Sequence, residues 1–142
     1  MLTWERSAQA VSSAPPERVW AVLTDGRRWS QWNAGVQWIE IEGPLAPGTL
    51  LTMKPKGAPQ TAFRIAAALP PHLLAFAVTF GPLATLEFRY ELRPEGAQTA
   101  IVQTIGIGGP FAAPLLRKRA ERIADAMPAN LERLAARAAA PA

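Results

Sequence analysis

The chain has 142 residues, a formal net charge of +4, no cysteine and one histidine, His72. This size fits one domain, and the composition excludes a disulfide framework, a thiolate nucleophile, a sulfur-ligated metal site and a multi-histidine metal site. The basic residues are mostly arginines interleaved with acidic ones, which is typical of a solvated surface, so we expect no nucleic-acid partner.

The first part of the chain is predicted to form a strand and two short helices. Residues 4–12 alternate loosely between apolar and polar side chains, as in a strand with one buried side. Two prolines followed by Glu17 suit the start of a helix that ends before Gly26. A second short helix over residues 27–33 is predicted to bring its two tryptophans close together.

Strand-like segments separated by Gly- and Pro-rich turns follow the two helices. They cover residues 36–42, 48–54, 61–69, 73–80, 85–93 and 98–107. Such short connections indicate antiparallel neighbours, because parallel strands need crossovers of about a dozen residues or more.

One of these segments defines the inner face of the predicted sheet. Leu86, Phe88, Tyr90 and Leu92 alternate with charged residues between them, so the apolar side must be the buried one. The same alternation predicts that the following residues of the neighbouring strands also point inward: Leu51, Met53, Phe63, Ile65, Leu69, Leu74, Phe76, Val78 and Phe80.

The last element is a long helix from about Phe111 to Ala138. The glycines at positions 106, 108 and 109 are predicted to turn the last strand into it. Its apolar stripe, which we expect to face the sheet, consists of Leu116, Ala120, Ile123, Met127, Leu131 and Leu134. We expect Pro128 to kink or break the helix, and the tail to fray after about residue 136.

With these elements placed, the chain resembles the START-like, helix-grip superfamily, and within it the polyketide cyclase/dehydrase-like group called SRPBCC. The resemblance covers essentially the whole chain. It implies a single α+β domain, 1–142, in which a curved antiparallel sheet of about seven strands grips the C-terminal helix around an internal cavity. The segments that carry the resemblance are APPERVWAVLTD at 14–25, WSQWN at 29–33, EGPLAPGT at 42–49 and PPHLL at 70–74.

The candidate ligand contacts are residues on the predicted inner surfaces. Tyr90, Gln103 and Arg119 would offer a phenol, an amide and a guanidinium to an oxygen-rich ligand, while Trp32 and Trp38 would line the mouth of the pocket. The apolar candidates are Met53, Phe63, Phe76, Phe88, Ile123 and Met127.

Each polar candidate also has a purely structural interpretation. Tyr90 would bond to backbone, Arg119 would extend to water, and Asn130, also at the margin of the helix stripe, would cap the break at Pro128. The acidic pairs Glu40/Glu42 and Glu87/Glu91 fall on the outer face of the sheet, and His72 is placed in a turn at the sheet edge.

Three functions remain open from the sequence. The first is binding of a small hydrophobic or amphipathic molecule, without cofactor or metal. The second is a cyclase- or dehydratase-like enzyme in which Tyr90 donates a proton and Arg119 stabilises an oxyanion. The third is an interaction module for a protein partner, resembling chaperone activators, which predicts a filled core.

Location is predicted from what the sequence lacks. No stretch approaches the roughly 20 apolar residues that span a bilayer, and the first residues lack the pattern of a secretory signal. We therefore expect a cytoplasmic protein with no integral membrane association.

Overall fold

The computed structural model describes residues 2–110 and 112–141, so Phe111, the predicted first residue of the long helix, lies outside the described residues. The strands are β1 (Leu2–Ser12), β2 (Val36–Ile41), β3 (Leu50–Pro55), β4 (Thr61–Leu69), β5 (Leu73–Phe80), β6 (Ala84–Glu95) and β7 (Gln98–Gly108). The helices are α1 (Pro16–Thr24), a 3₁₀ helix (Gly26–Gln31) and α2 (Ala112–Ala139).

The strands form one antiparallel sheet in the order β1-β7-β6-β5-β4-β3-β2. The sheet is curled into a half-barrel, and α2 packs against β1 and β7. This is the predicted α+β helix-grip fold. The curl has a physical basis in the twist of the strands and in their bulges, which bend a strand where one residue is left unpaired.

The core lies between the inner face of the sheet and the apolar stripe of α2. Leu131 and Leu134 are fully buried, and Ala120 and Met127 nearly so. On β6 the predicted alternation is confirmed, since Leu86, Phe88, Tyr90 and Leu92 are buried. The end of β1 is attached to α2 by a hydrogen bond, in which the Ser12 hydroxyl donates to the Ala135 carbonyl at 2.8 Å.

The prediction that Leu69 points inward is wrong, because β4 contains a bulge. The pairing of β4 with β5 shifts between Ile65 and Ala67, which moves the following residues to the opposite faces. Ala68 then packs against the core while Leu69 is 61% exposed. Phe80, at the last position of β5, faces inward as predicted and lines the cavity, although it is 43% exposed.

The long helix is continuous over its described length. It continues through Pro128 without a break, because buried Met127 and Leu131 on either side anchor it to the core. It is helical to Ala139, where Ala138 is buried and Arg18 donates to the Ala140 carbonyl at 2.6 Å.

The connection from β7 to α2 depends on one glycine of the Gly-rich segment. Gly106 and Gly108 lie within β7, whereas Gly109 has a φ of +106°, which L side chains rarely adopt. A Cβ at Gly109 would lie 2.5 Å from the Leu83 carbonyl oxygen. The turn therefore needs glycine both for its dihedral angle and for the close approach of the backbone.

Candidate ligand-binding cavity

A cavity of about 580 Å³ lies between the inner face of the sheet and α2. Its volume falls within the range of small-molecule sites, roughly 300–1,000 Å³. Among the predicted contacts, all but Trp32 and Trp38 line it: Met53, Phe63, Phe76, Phe88, Tyr90, Gln103, Arg119, Ile123 and Met127.

The middle of the cavity wall is aromatic. Phe63 meets Phe76 and Phe88 edge-on, with ring centroids 5.4 and 5.8 Å apart, and Phe76 stacks on Phe88 at 5.4 Å. These rings come from β4, β5 and β6, whose registered positions bring them side by side. The cluster presents an apolar surface with ring faces and edges to whatever occupies the space.

Two polar side chains interrupt this apolar wall at adjacent positions of β6 and β7. Tyr90 and Gln103 are directly opposite in the pairing of these strands and are 1% and 3% exposed. Burial raises the pKa of the Tyr90 phenol, so the group keeps its proton and remains a hydrogen-bond donor near neutral pH. The Gln103 Oε1 atom is buried and has no hydrogen-bond partner among the described residues.

Trp38 does not line the cavity, because β2 also contains a bulge. The pairing of β2 with β3 shifts between Val36 and Trp38. Val36 and the buried Ile39 thereby face inward, and Trp38 lies on the outer side, where the Arg27 guanidinium stands 5.9 Å from its ring centroid. The sequence contains no signal for this extra residue in the strand.

Trp32 is fully buried behind the cavity wall, and Trp29 lines the wall in its place. Their rings are close, as predicted, with centroids 4.7 Å apart, and both meet Tyr90 edge-on. The Trp29 indole donates to the Leu23 carbonyl at 2.8 Å, which fixes the ring. Sequence spacing predicted that the two indoles lie close together, but which of them reaches the cavity depends on how the 3₁₀ helix packs against β2.

Asn130 connects α2 to the segment that follows the 3₁₀ helix. Its Oδ1 accepts hydrogen bonds from the Ala34 amide at 3.0 Å and from Arg133 at 2.6 Å, and Arg133 also donates to the Trp32 carbonyl at 2.9 Å. Asn130 therefore does not cap a break at Pro128, as one interpretation of the sequence had it. It holds one edge of the cavity closed.

Replacing Asn130 by alanine is expected to cost about 1–3 kcal/mol of folding free energy, because the Ala34 amide and Arg133 lose their shared acceptor. Chemical denaturation measures this loss. The exposed neighbour Glu132→Ala is the control and should change stability by less than about 0.5 kcal/mol. Equal stabilities of the two variants would show that the Asn130 hydrogen bonds do not hold the cavity edge.

Exposed cations border the cavity opening. Lys56 follows β3, and Arg119 and Arg122 lie one turn apart on α2. Sequence analysis proposed Arg119 but missed Lys56 and Arg122, because nothing local shows that the turn after β3 faces α2. None of the described lining residues is Asp, Glu or His.

The other candidate groups lie away from the cavity. Glu87 and Glu91 are partly exposed and stand near Arg89 and Arg93, and Glu40 pairs with Arg27 at 2.8 Å. His72 is exposed, with Nδ1 3.4 Å from the Leu92 carbonyl oxygen. The described residues include no group of three or more His, Cys, Asp or Glu side chains placed to hold a metal ion.

With the fold and the cavity described, comparison with known proteins places the chain in a family. The chain belongs to the polyketide cyclase / dehydrase and lipid transport family, whose model matches residues 3–139. A search of curated proteins finds no match. Within the described residues, no helix is both long enough and apolar enough to span a membrane.

Solved structures from several bacteria share the fold at low sequence identity. TTHA0849 from Thermus thermophilus is 20% identical, with 95% of this chain and 97% of that chain covered and a TM-score of 0.67. MLL2253 from Mesorhizobium loti is 17% identical, with 94% and 95% covered and a TM-score of 0.72. The Zhui aromatase/cyclase from a Streptomyces species is 15% identical, with 95% and 93% covered and a TM-score of 0.66.

Proposed function

We propose that this protein binds a small hydrophobic or amphipathic molecule in the cavity between the sheet and α2. The observation that carries the proposal is the cavity itself, about 580 Å³ with an aromatic wall and a few convergent polar groups. A protein that used this fold only to contact a protein partner would gain stability by filling that space with side chains, because interiors are close-packed. The family and the fold are consistent with ligand binding.

The unpaired carbonyl oxygen of the Gln103 side chain supports the same function. A buried carbonyl oxygen without a hydrogen bond costs about 1–3 kcal/mol, so such atoms are rare in folded proteins. A ligand that accepts a hydrogen bond from Tyr90 and donates one to Gln103, after a rotation that turns the buried oxygen toward the cavity, would remove this cost on binding. Such paired donor and acceptor groups fix the orientation of a ligand in an otherwise apolar site.

Catalysis is a less favoured function for the cavity. A cyclase or dehydratase needs a group that removes a proton, and no described lining residue is a carboxylate or histidine. Tyr90 would be the proton donor, but burial raises the pKa of its phenol and makes it a weaker acid. Arg119, the proposed oxyanion stabiliser, is exposed at the opening.

Native mass spectrometry of the protein purified gently from its own organism tests the binding proposal. We expect a stoichiometric small-molecule adduct that is released on denaturation. Ala126→Phe, which places a ring in the cavity from α2, should abolish the adduct. Ala129→Phe, on the exposed side of the same helix, should retain it.

Two outcomes would contradict the proposal. An adduct that survives in Ala126→Phe as well as in Ala129→Phe would lie outside the cavity. A clean apo mass, together with no fluorescence enhancement of the neutral apolar probe phenylnaphthylamine, would show that the cavity does not take up apolar molecules.

A further inference from the structure

The cavity carries charge of one sign only. Lys56, Arg119 and Arg122 line it, and none of its described lining residues is acidic. All three cations are exposed, which places them where the cavity meets solvent rather than in its interior. The aromatic cluster and the pair Tyr90 and Gln103 are buried further in. The charged side chains therefore lie at the opening of the cavity, and its interior is uncharged and mostly apolar.

The cations at the cavity opening are not engaged by carboxylates of the described residues, which is also true of exposed cations elsewhere on α2, such as Lys118 and Arg137. Arg6 pairs with Asp125 at 3.1 Å and Arg117 with Glu121 at 3.3 Å. These two pairs engage the carboxylates on the outer side of α2 that lie nearest in sequence to Arg122. Lys56, Arg119 and Arg122 form no salt bridge with any described residue.

We infer that the ligand is an amphipathic anion, with one negatively charged head held by Lys56, Arg119 and Arg122 and an apolar body against the Phe63, Phe76 and Phe88 rings. This inference rests on the proposed function and adds the chemical class of the ligand. A carboxylate, sulfonate or phosphate head would stay at the opening, where it remains partly hydrated and avoids the cost of burial. The apolar body would account for the cavity, and the head for the presence of cations and the absence of acidic residues in its described lining.

The same three cations would also attract an anionic ligand before it touches the protein. A cluster of one sign at the rim of a low-dielectric cleft raises the local concentration of ions of the opposite sign. Because the three cations are exposed, their effect must weaken with ionic strength. The charge preference and its salt dependence are therefore measurable together.

A matched pair of fluorescent probes tests the inference. Anilinonaphthalene sulfonate and phenylnaphthylamine share one apolar skeleton, and only the former carries a sulfonate. We expect the purified, ligand-stripped protein to bind the sulfonate probe about tenfold more tightly than the neutral one at low salt. The ratio should approach one between about 0.01 M and about 1 M salt, as the Debye length falls from about 30 Å to about 3 Å.

A second experiment removes positive charge at the opening and measures the affinities of the same two probes. Arg119→Gln/Arg122→Gln should reduce the ratio of the two affinities by about fivefold or more. Lys118→Gln/Arg137→Gln removes the same charge from exposed positions of α2 that do not line the cavity, and should leave the ratio unchanged. Circular dichroism and thermal melts confirm that both double variants are folded.

The outcomes separate this inference from the proposed function. Equal affinity for both probes, or an equal loss of the ratio in both double variants, would overturn the anionic class and leave the cavity as a site for neutral molecules. Failure of both probes to bind would overturn the proposed function and the inference with it.

Discussion

Replacing Gln103 by leucine is expected to stabilise the ligand-free protein while weakening ligand binding. The substitution removes a buried carbonyl oxygen that has no hydrogen-bond partner among the described residues, and replaces it with a side chain of similar size that suits the apolar wall. The gain should be about 1–3 kcal/mol, which raises the melting temperature by several degrees for a domain of this size. The loss of one ligand hydrogen bond should weaken binding about two- to tenfold.

The measurement compares thermal or chemical denaturation after ligand removal, because a bound ligand would itself stabilise the wild-type protein. Adduct occupancy in native mass spectra reports the loss of binding. Gln98→Leu, at an exposed position of the same strand, is the matched control and should change neither property appreciably. A destabilised Gln103→Leu protein would show that Gln103 is satisfied in the folded state and is not kept for a ligand.

Replacing Leu131 by alanine is expected to destabilise the protein by about 2–5 kcal/mol. Leu131 is fully buried on the α2 stripe, so its truncation removes packing contacts on all sides and leaves a void. Because domains of this kind are stable by only about 5–15 kcal/mol, a large part of the stability would be lost. Denaturant titration measures the change.

Met127→Ala is the informative comparison for Leu131→Ala. Met127 lies one turn before Leu131 and is also buried, but its side chain borders the cavity and lacks packing partners on that side. We expect it to cost less than Leu131→Ala, and the exposed Glu132→Ala to cost less than about 0.5 kcal/mol. Equal costs for Met127→Ala and Leu131→Ala would mean that the space beside Met127 is packed in solution.

These two predictions express one conflict between stability and function. An open cavity and an unpaired buried carbonyl oxygen both destabilise the empty protein, and local departures of this kind are expected at sites that bind a ligand. The site is therefore visible in the structure as two unmade interactions: empty space beside Met127 and a buried Gln103 oxygen without a hydrogen-bond partner among the described residues.

Much of the fold could be predicted because strong local patterns agreed with the final arrangement. The alternation from Leu86 to Leu92 identified the inner face of β6, since side chains of a strand point to opposite faces in turn. Short turns required antiparallel neighbours, and the stripe through Leu131 identified the buried side of α2. The resemblance to the helix-grip superfamily led to the same architecture, which the sheet order and the family match confirm.

Two of the wrong inward predictions came from bulges, in which a single extra residue reverses the alternation of inward and outward side chains along a strand. One bulge in β4 turned Leu69 outward, and another in β2 did the same to Trp38. A bulge needs no special residue when its dihedral angles are ordinary, so the alternation alone gives no warning. The reason is different for Trp32, which directly follows the 3₁₀ helix: Trp29 of that helix lines the wall instead.

By itself, the sequence determined which elements form and which face of each is apolar, because these properties follow from short-range periodicity and from the conformations of Gly and Pro. Only the tertiary structure decided that the two apolar faces leave about 580 Å³ unfilled, that Gln103 Oε1 has no partner among the described residues, and that Lys56, Arg119 and Arg122 line one cavity. Those facts depend on the curl of the sheet and on distances between elements far apart in the chain, which no local pattern encodes.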